Sequence, residues 1–178
     1  MTATYSIRAI DPIVVKQLLD RDDAGRPPRV STDHEGGAPL RCCLRFSEPG
    51  ETIALVAYEP LRRWATETGA DPGPYDERGP VFVHAGDCTG GYDTAPYPRP
   101  RRRVFRRYAA DGHILGGRLA EPHEANEDVL AAAFGDPDVA LVHVRAVEFG
   151  CFLYEARRPA DGEASGAARR PEEQRQAS

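Results

Sequence analysis

Lysine is nearly absent from this 178-residue chain: Lys16 is the only one, and the other basic side chains are arginines. A phosphate-cradling GxxxxGK[ST] loop is excluded because Gln17 follows Lys16. A Schiff-base enzyme would have to use a lysine that lies on an expected amphipathic helix. The five serines, Ser6, Ser31, Ser47, Ser165 and Ser178, lie in no GxSxG elbow, and His123-Glu124 does not continue to HExxH. There is no CxxC pair and no GxGxxG after a strand, so thioredoxin-like and dinucleotide-binding readings lack support. No run approaches the ~18 apolar residues of a membrane span. The first ten residues carry no basic stretch leading into an apolar core, so the expected address is cytoplasmic, with no membrane partner. Four cysteines are too few for a disulfide scaffold. They are left for packing, metal or chemistry. The net charge of -5 provides no global basic field for nucleic acid, which is not the expected partner.

What is present reads as one α+β domain over residues 1–158, followed by a tail, 159–178, with no aliphatic side chain larger than alanine and no aromatic. The tail is expected to be disordered. Thr4 to Ile10 alternates as a strand. Asp11-Pro12 then caps a helix whose Ile13, Val14, Leu18 and Leu19 share a face. Asp20 to Gly37 reads as a surface loop, and Leu40–Phe46 with Thr52–Tyr58 as a hairpin about Pro49-Gly50. Val81–Ala85 is a strand followed by a glycine-rich loop through Gly90-Gly91. Asp111-Gly112 joins two strands as a tight hairpin, and Glu124–Phe134 is a helix stopped by Gly135. Val139–Val147 and Cys151–Arg157 form a last hairpin around Glu148-Phe149-Gly150. The expected fold is therefore a mostly antiparallel sheet of about seven strands built from hairpins, with two helices packed on it.

Pro39-Leu40-Arg41-Cys42-Cys43-Leu44, then Gly50-Glu51 and Tyr58, Gly79-Pro80-Val81-Phe82-Val83-His84-Ala85 with Cys88, Arg107-Tyr108 before Asp111-Gly112, and His143-Val144-Arg145 with Glu148-Phe149-Gly150-Cys151 occur in this order. In that series the chain resembles the bacterial family called domain of unknown function 1203. The likeness runs from about Thr4 to Arg158. Members often carry a cysteine beside the proline, where this chain has Leu40, so no role for that thiol carries over. The resemblance implies a compact bacterial cytosolic domain and brings no activity with it.

The residues offer three constellations. The last hairpin, with Gly150 left-handed in a three-residue loop, sets Val147 against Cys151, Arg145 against Leu153 and His143 against Glu155. In that register His143, Arg145, Cys151 and Glu155 share one face, while Val142, Val144, Phe152 and Tyr154 form an apolar one. A thiol beside an imidazole and a guanidinium suits a nucleophile or redox thiol. This reading makes Cys151, His143 and Glu148 the catalytic residues, with His143 as general base. Arg145, Arg107, Tyr108, His84 and Cys88 then hold an anionic small molecule. The competing reading makes Cys151 a buried hydrophobe and Arg145 an ion-pair partner of Glu155. A zinc site of His84, Cys88, His143 and Cys151 is the second constellation, weakened by spacings that fit no known knuckle, and no metal or cofactor is expected. Cys42 and Cys43, adjacent on a strand, are expected to face opposite ways. The third is the run 99–107, with arginines at 99, 101, 102, 103, 106 and 107 beside Phe105 and Tyr108. It supports a non-catalytic interaction module as the alternative to an enzyme or sensor, or the charge of a solvated edge strand.

Overall fold

A computed structural model describes residues 5–88, 96–97 and 101–158. The glycine pair at 90–91, Arg99 and the tail expected over 159–178 lie outside the described residues. Within them the chain forms eight strands and three α-helices, an α+β fold whose ladders are antiparallel. The strands divide between two sheets. One has five strands in the order β1 (Ser6–Arg8), β8 (Phe152–Arg157), β7 (Leu141–Ala146), β5 (Arg103–Tyr108), β6 (Ile114–Ala120). The other has three, β2 (Arg29–Asp33), β3 (Glu51–Tyr58), β4 (Gly79–His84). No helix among the described residues is long and apolar enough to cross a membrane.

Local chemistry accounts for several boundaries. Helix α1 (Pro12–Asp20) begins as expected, because proline fits the first turn and the Asp11 carboxylate accepts the Ile13 N–H at 2.7 Å. Its inner face is Val15 and Leu18; Ile13 faces solvent, contrary to the face expected from spacing. We expect Asp11→Ala to cost about 1 kcal/mol in a urea titration, with Asp11→Ser close to wild type. The Asp111-Gly112 turn joins β5 to β6, and Gly112 is needed twice over. Its φ is +93°, and a Cβ there would sit 2.9 Å from Pro72. Helix α3 (Asn126–Phe134) packs Val129, Leu130 and Phe134 onto one face of the five-stranded sheet, against Phe105, Val142, Val144 and Tyr154. Helix α2 (Pro60–Thr68) covers part of the opposite face, with Leu61, Trp64 and Ala65 on Tyr108 and Leu141.

Three expectations change. Residues 29–33, read as loop, form the exposed edge strand β2, whose order comes from pairing with β3 rather than from burial of its own side chains. Residues 40–46 form a compact turn instead of a strand. The Leu44 N–H bonds the Leu40 carbonyl at 2.9 Å, and Leu44 itself lies at φ +56°. In the last hairpin Gly150 is left-handed as expected, but the Ala146 N–H bonds the Cys151 carbonyl, which makes a four-residue loop. A bulge follows, pairing Val144 with Tyr154 and Arg145 with Phe152, so Leu153 has no partner opposite it. Leu153 joins Tyr154 in the core under α3, and Phe152 turns to the other face against Tyr58 and His143.

Candidate metal centre and the neighbouring cleft

The turn at 40–46 is held in position from both sides. Arg41 N–H donates to the Phe82 carbonyl at 2.9 Å, Ile10 N–H donates to the Arg41 carbonyl at 2.8 Å, and the Tyr97 hydroxyl donates to the Leu40 carbonyl at 2.9 Å. Leu40 and Leu44 are fully buried beneath it. Because the chain coils here, Cys42 and Cys43 do not face opposite ways. Both sulfurs approach His84 at the end of β4, with Cys42 Sγ 3.2 Å and Cys43 Sγ 3.8 Å from Nδ1. Cys88, four residues beyond, completes a cluster whose four donor atoms lie within 4.8 Å of one another.

The surroundings of the cluster favour thiolate and a fixed imidazole. The His84 backbone N–H points at Cys42 Sγ, 3.3 Å away. A hydrogen bond from Cys42, with the help of the Arg45 N–H and nearby positive charge, brings the Cys43 thiol down to about 6. The hydrogen bond to Cys43 and burial push Cys42 the other way, so this pair holds one proton tightly and one loosely. On the far side of the imidazole, Nε2 meets Arg45 Nη2 at 2.9 Å and Glu51 Oε1 at 3.5 Å. Arg45 and Glu51 are themselves joined by a double hydrogen bond, which holds the Glu51 carboxyl at about 2. Since a guanidinium can only donate, Nε2 accepts from Arg45 and the ring proton sits on Nδ1, facing sulfur. A metal on Nδ1 would move that proton to Nε2, and Arg45 Nη2, a donor 2.9 Å away, would have to withdraw for the Glu51 carboxylate to accept it.

A second feature lies where the two sheets meet. Tyr58, Pro60 and the start of β4 form one wall of a cleft of about 210 Å3, and the β7–β8 turn forms the other. Of the expected catalytic residues Cys151 lines this cleft, and of the expected substrate-binding residues Arg145 does. Arg145 donates to the Gly150 carbonyl at 2.9 Å and pairs with Glu77. His143 does not join them. Its ring is wholly buried, edge-on to Tyr108 and Phe152, and neither nitrogen has a hydrogen-bond partner among the described residues, so the general-base pairing with Cys151 is not made. Burial and the guanidiniums of Arg145, Arg106 and Arg157 keep that imidazole neutral. Tyr108 is buried beside it, Glu148 sits half-exposed on the turn facing Arg101 at 3.9 Å, and Arg107 pairs with Asp136 near the end of α3.

The zinc quartet weighed and set aside from sequence is split: His84 and Cys88 gather with Cys42 and Cys43, and His143 and Cys151 lie elsewhere. The arginine strand is also not an edge, since β5 runs between β7 and β6. Arg101, Arg102, Arg106 and Arg107 already face Glu148, Glu121, Glu77 and Asp136, and Arg103 is buried. Only the His84-x3-Cys88 half of the cluster had a visible signal in the sequence.

Residues 37–158 match the family described as protein of unknown function (DUF1203). The chain belongs to the DUF1203 family. No curated protein and no solved structure matches it. All four donors, and the cleft residues on both walls, fall inside the DUF1203 region.

Proposed function

We propose that this DUF1203 domain is a metal-binding protein whose Cys42, Cys43, His84 and Cys88 hold one zinc-class ion. The carrying observation is the convergence of three sulfurs and one imidazole nitrogen within 4.8 Å. With Zn–S near 2.3 Å and Zn–N near 2.0 Å, a tetrahedral site has donor-to-donor edges of about 3.6 to 3.8 Å, so only small side-chain movements are needed. Soft thiolates select zinc or another thiophilic ion over magnesium or calcium. With all four ligands from protein, the coordination shell is closed. Such an ion organises the chain or reports metal and redox state, and does not activate water.

The test is metal analysis of protein purified without chelator, followed by cobalt(II) titration of the stripped chain. We expect close to one ion per chain and a thiolate-to-cobalt charge-transfer band that disappears in Cys43→Ser and Cys88→Ser. Glu51→Gln should retain the band and weaken affinity about 10- to 100-fold, as loss of a partner behind a ligating histidine does. Absence of both retained metal and the cobalt band would sink the reading.

The small-molecule enzyme or sensor built on Cys151, His143 and Arg145 has support only for the cysteine and the arginine, which share the cleft. The interaction module built on residues 99–107 has less, because its described arginines are paired internally or buried.

A further inference from the structure

The cleft between the sheets is distinct from the metal cluster and has its own chemistry. Arg145 is 8% exposed and lines it, and Arg106 lies next to it in the charge network of the same sheet face. Behind the wall is Arg41, 3% exposed, whose acceptors among the described residues are the carbonyl oxygens of Pro39 and Phe152. Arg41 also acts electrostatically on Cys151, so its guanidinium is close to the cleft. Against these three guanidiniums stands, among the described residues, one carboxylate, Glu77, held jointly by Arg106 at 2.6 Å and by Arg145. The other cation on the wall, Arg78, is already matched by Glu59 at 3.2 Å. Buried positive charge without matching negative charge is costly, and the Arg145 Nε has no hydrogen-bond acceptor among the described residues. A ligand carboxylate on Arg145 would leave Glu77 to Arg106 and bring a second negative charge to the group.

The same wall shows how an anion is held. Glu77 follows the short helical turn Gly73–Tyr75 and its side chain is about half-exposed, so it can swing out to solvent without breaking a strand. Its carboxylate shows the guanidinium pair already holding a group of this kind. The remaining walls are apolar and aromatic: Tyr58, Pro60, Phe152 and Phe149, the last 86% exposed on the turn with its ring open to a flat partner. A cleft of about 210 Å3 suits a small molecule.

We infer that this cleft binds a small planar carboxylate, which pairs with Arg145 in place of Glu77 and lies against Phe149, next to the Cys151 thiol. The binding needs no metal and does not depend on the metal-site reading. Cys151 serves as the reporter at the ligand's edge.

The experiment uses the full chain as purified, with benzoate and inorganic phosphate as probes and peptide mass spectrometry of Cys151 as readout. The rates of alkylation by anionic iodoacetate and neutral iodoacetamide are compared as a ratio, with the urea-unfolded chain as reference. We expect the ratio at Cys151 to be about tenfold higher in the folded chain, the effect of one nearby unneutralised cation at intermediate dielectric. Benzoate should protect Cys151. Glu77→Gln should tighten that protection about tenfold, and Phe149→Ala should weaken it several-fold. Phe149 is at the surface, so Phe149→Ala leaves the fold alone, whereas Glu77→Gln and Arg145→Gln, which unpair buried charge, are read only where the far-ultraviolet spectrum is unchanged. A folded-state ratio equal to the unfolded one, or no protection by benzoate even in Glu77→Gln, overturns the proposal. Stronger protection by phosphate than by benzoate overturns the ligand class. Chelator should leave the ratio unchanged, so failure of the metal reading and failure of this one are separate results.

Discussion

Stripping the ion from Cys42, Cys43, His84 and Cys88 is expected to lower the thermal midpoint by about 8 to 16 °C. A ligand present at a thousand times its Kd stabilises the folded state by about 4 kcal/mol. Each kcal/mol moves the midpoint of a chain of this size by about 2 to 4 °C. The effect is large because the segment the ion holds has little regular structure. Residues 40–46 form a turn with a non-glycine residue at φ +56°, tied mainly by isolated hydrogen bonds and two single bridges, Pro39 with Phe46 and Leu40 with Phe82. The ion would link that turn to the end of β4 and to the chain leaving through Cys88. Scanning calorimetry with and without chelator, and after zinc is restored, measures this. The double variant Cys43→Ser/Cys88→Ser should melt at the stripped midpoint and be indifferent to chelator. A midpoint that chelator leaves in place would mean that the folded domain holds no ion there.

The second large effect concerns the buried face of the five-stranded sheet. Across it, in register, lie Arg106, His143, Glu155 and Arg8. Burial pushes the Glu155 carboxyl up to about 7, and this outweighs its 2.6 Å pairing with Arg157 and the field of Arg8; Glu67 pushes the same way. Tyr58 faces it from β3, and His143 Nε2 lies 3.8 Å from Oε2. The folded state therefore keeps a proton that the unfolded chain releases near 4.5. The stability linked to it is complete below that pH and is lost as pH rises to about 7, a loss of about 3 kcal/mol. His143 acts in the opposite sense. Its folded form stays neutral, so its contribution is present above about 6.5 and is lost as the unfolded chain takes up a proton below that value. Between about 4.5 and 6.5 the two slopes oppose each other.

Glu155→Gln isolates the alkaline limb. Its stability relative to wild type should rise by about 3 kcal/mol from pH 4 to pH 8. The difference between the two proteins cancels every titration they share, that of the metal ligands included. Urea titrations at intervals across this range provide the measurement. Two curves that stay parallel would mean that the carboxyl titrates alike in the folded and unfolded chains.

The parts of this fold legible in the sequence are those set by neighbours in the chain. Asp11-Pro12 starts α1, Asp111-Gly112 turns β5 into β6, Gly135 stops α3, and Gly150 takes the left-handed position in the last turn. Helix α2 carried comparable signals, a proline at its first position and Gly69 at its end, with Leu61, Trp64 and Ala65 on one side. The less legible parts depend on distant residues. Alternation of Leu40, Cys42, Leu44 and Phe46 looks like a strand, yet the chain coils because Leu40 and Leu44 are drawn into the interior from opposite sides of one turn. The metal donors are separated by the whole of β3 and α2, so no spacing rule joins Cys42 and Cys43 to His84. The bulge at Leu153 has no local sequence cause, and it alone decides that Phe152 turns toward His143.

Arg41 connects these observations in another way. Its backbone joins Ile10, ahead of α1, to Phe82 in β4, and its side chain reaches the carbonyl of Phe152 in β8. The two sheets have separate ladders and meet through side chains, among them Phe152 of β8 on Tyr58 of β3. Arg41 ties the two together, by its backbone N–H to Phe82 of β4 and by its guanidinium to Phe152 of β8, and parting the sheets would strip that buried guanidinium of the Phe152 carbonyl before water can reach it. The domain should therefore open as a single cooperative unit, and the amides of β4 and β8 should exchange with solvent through the same event.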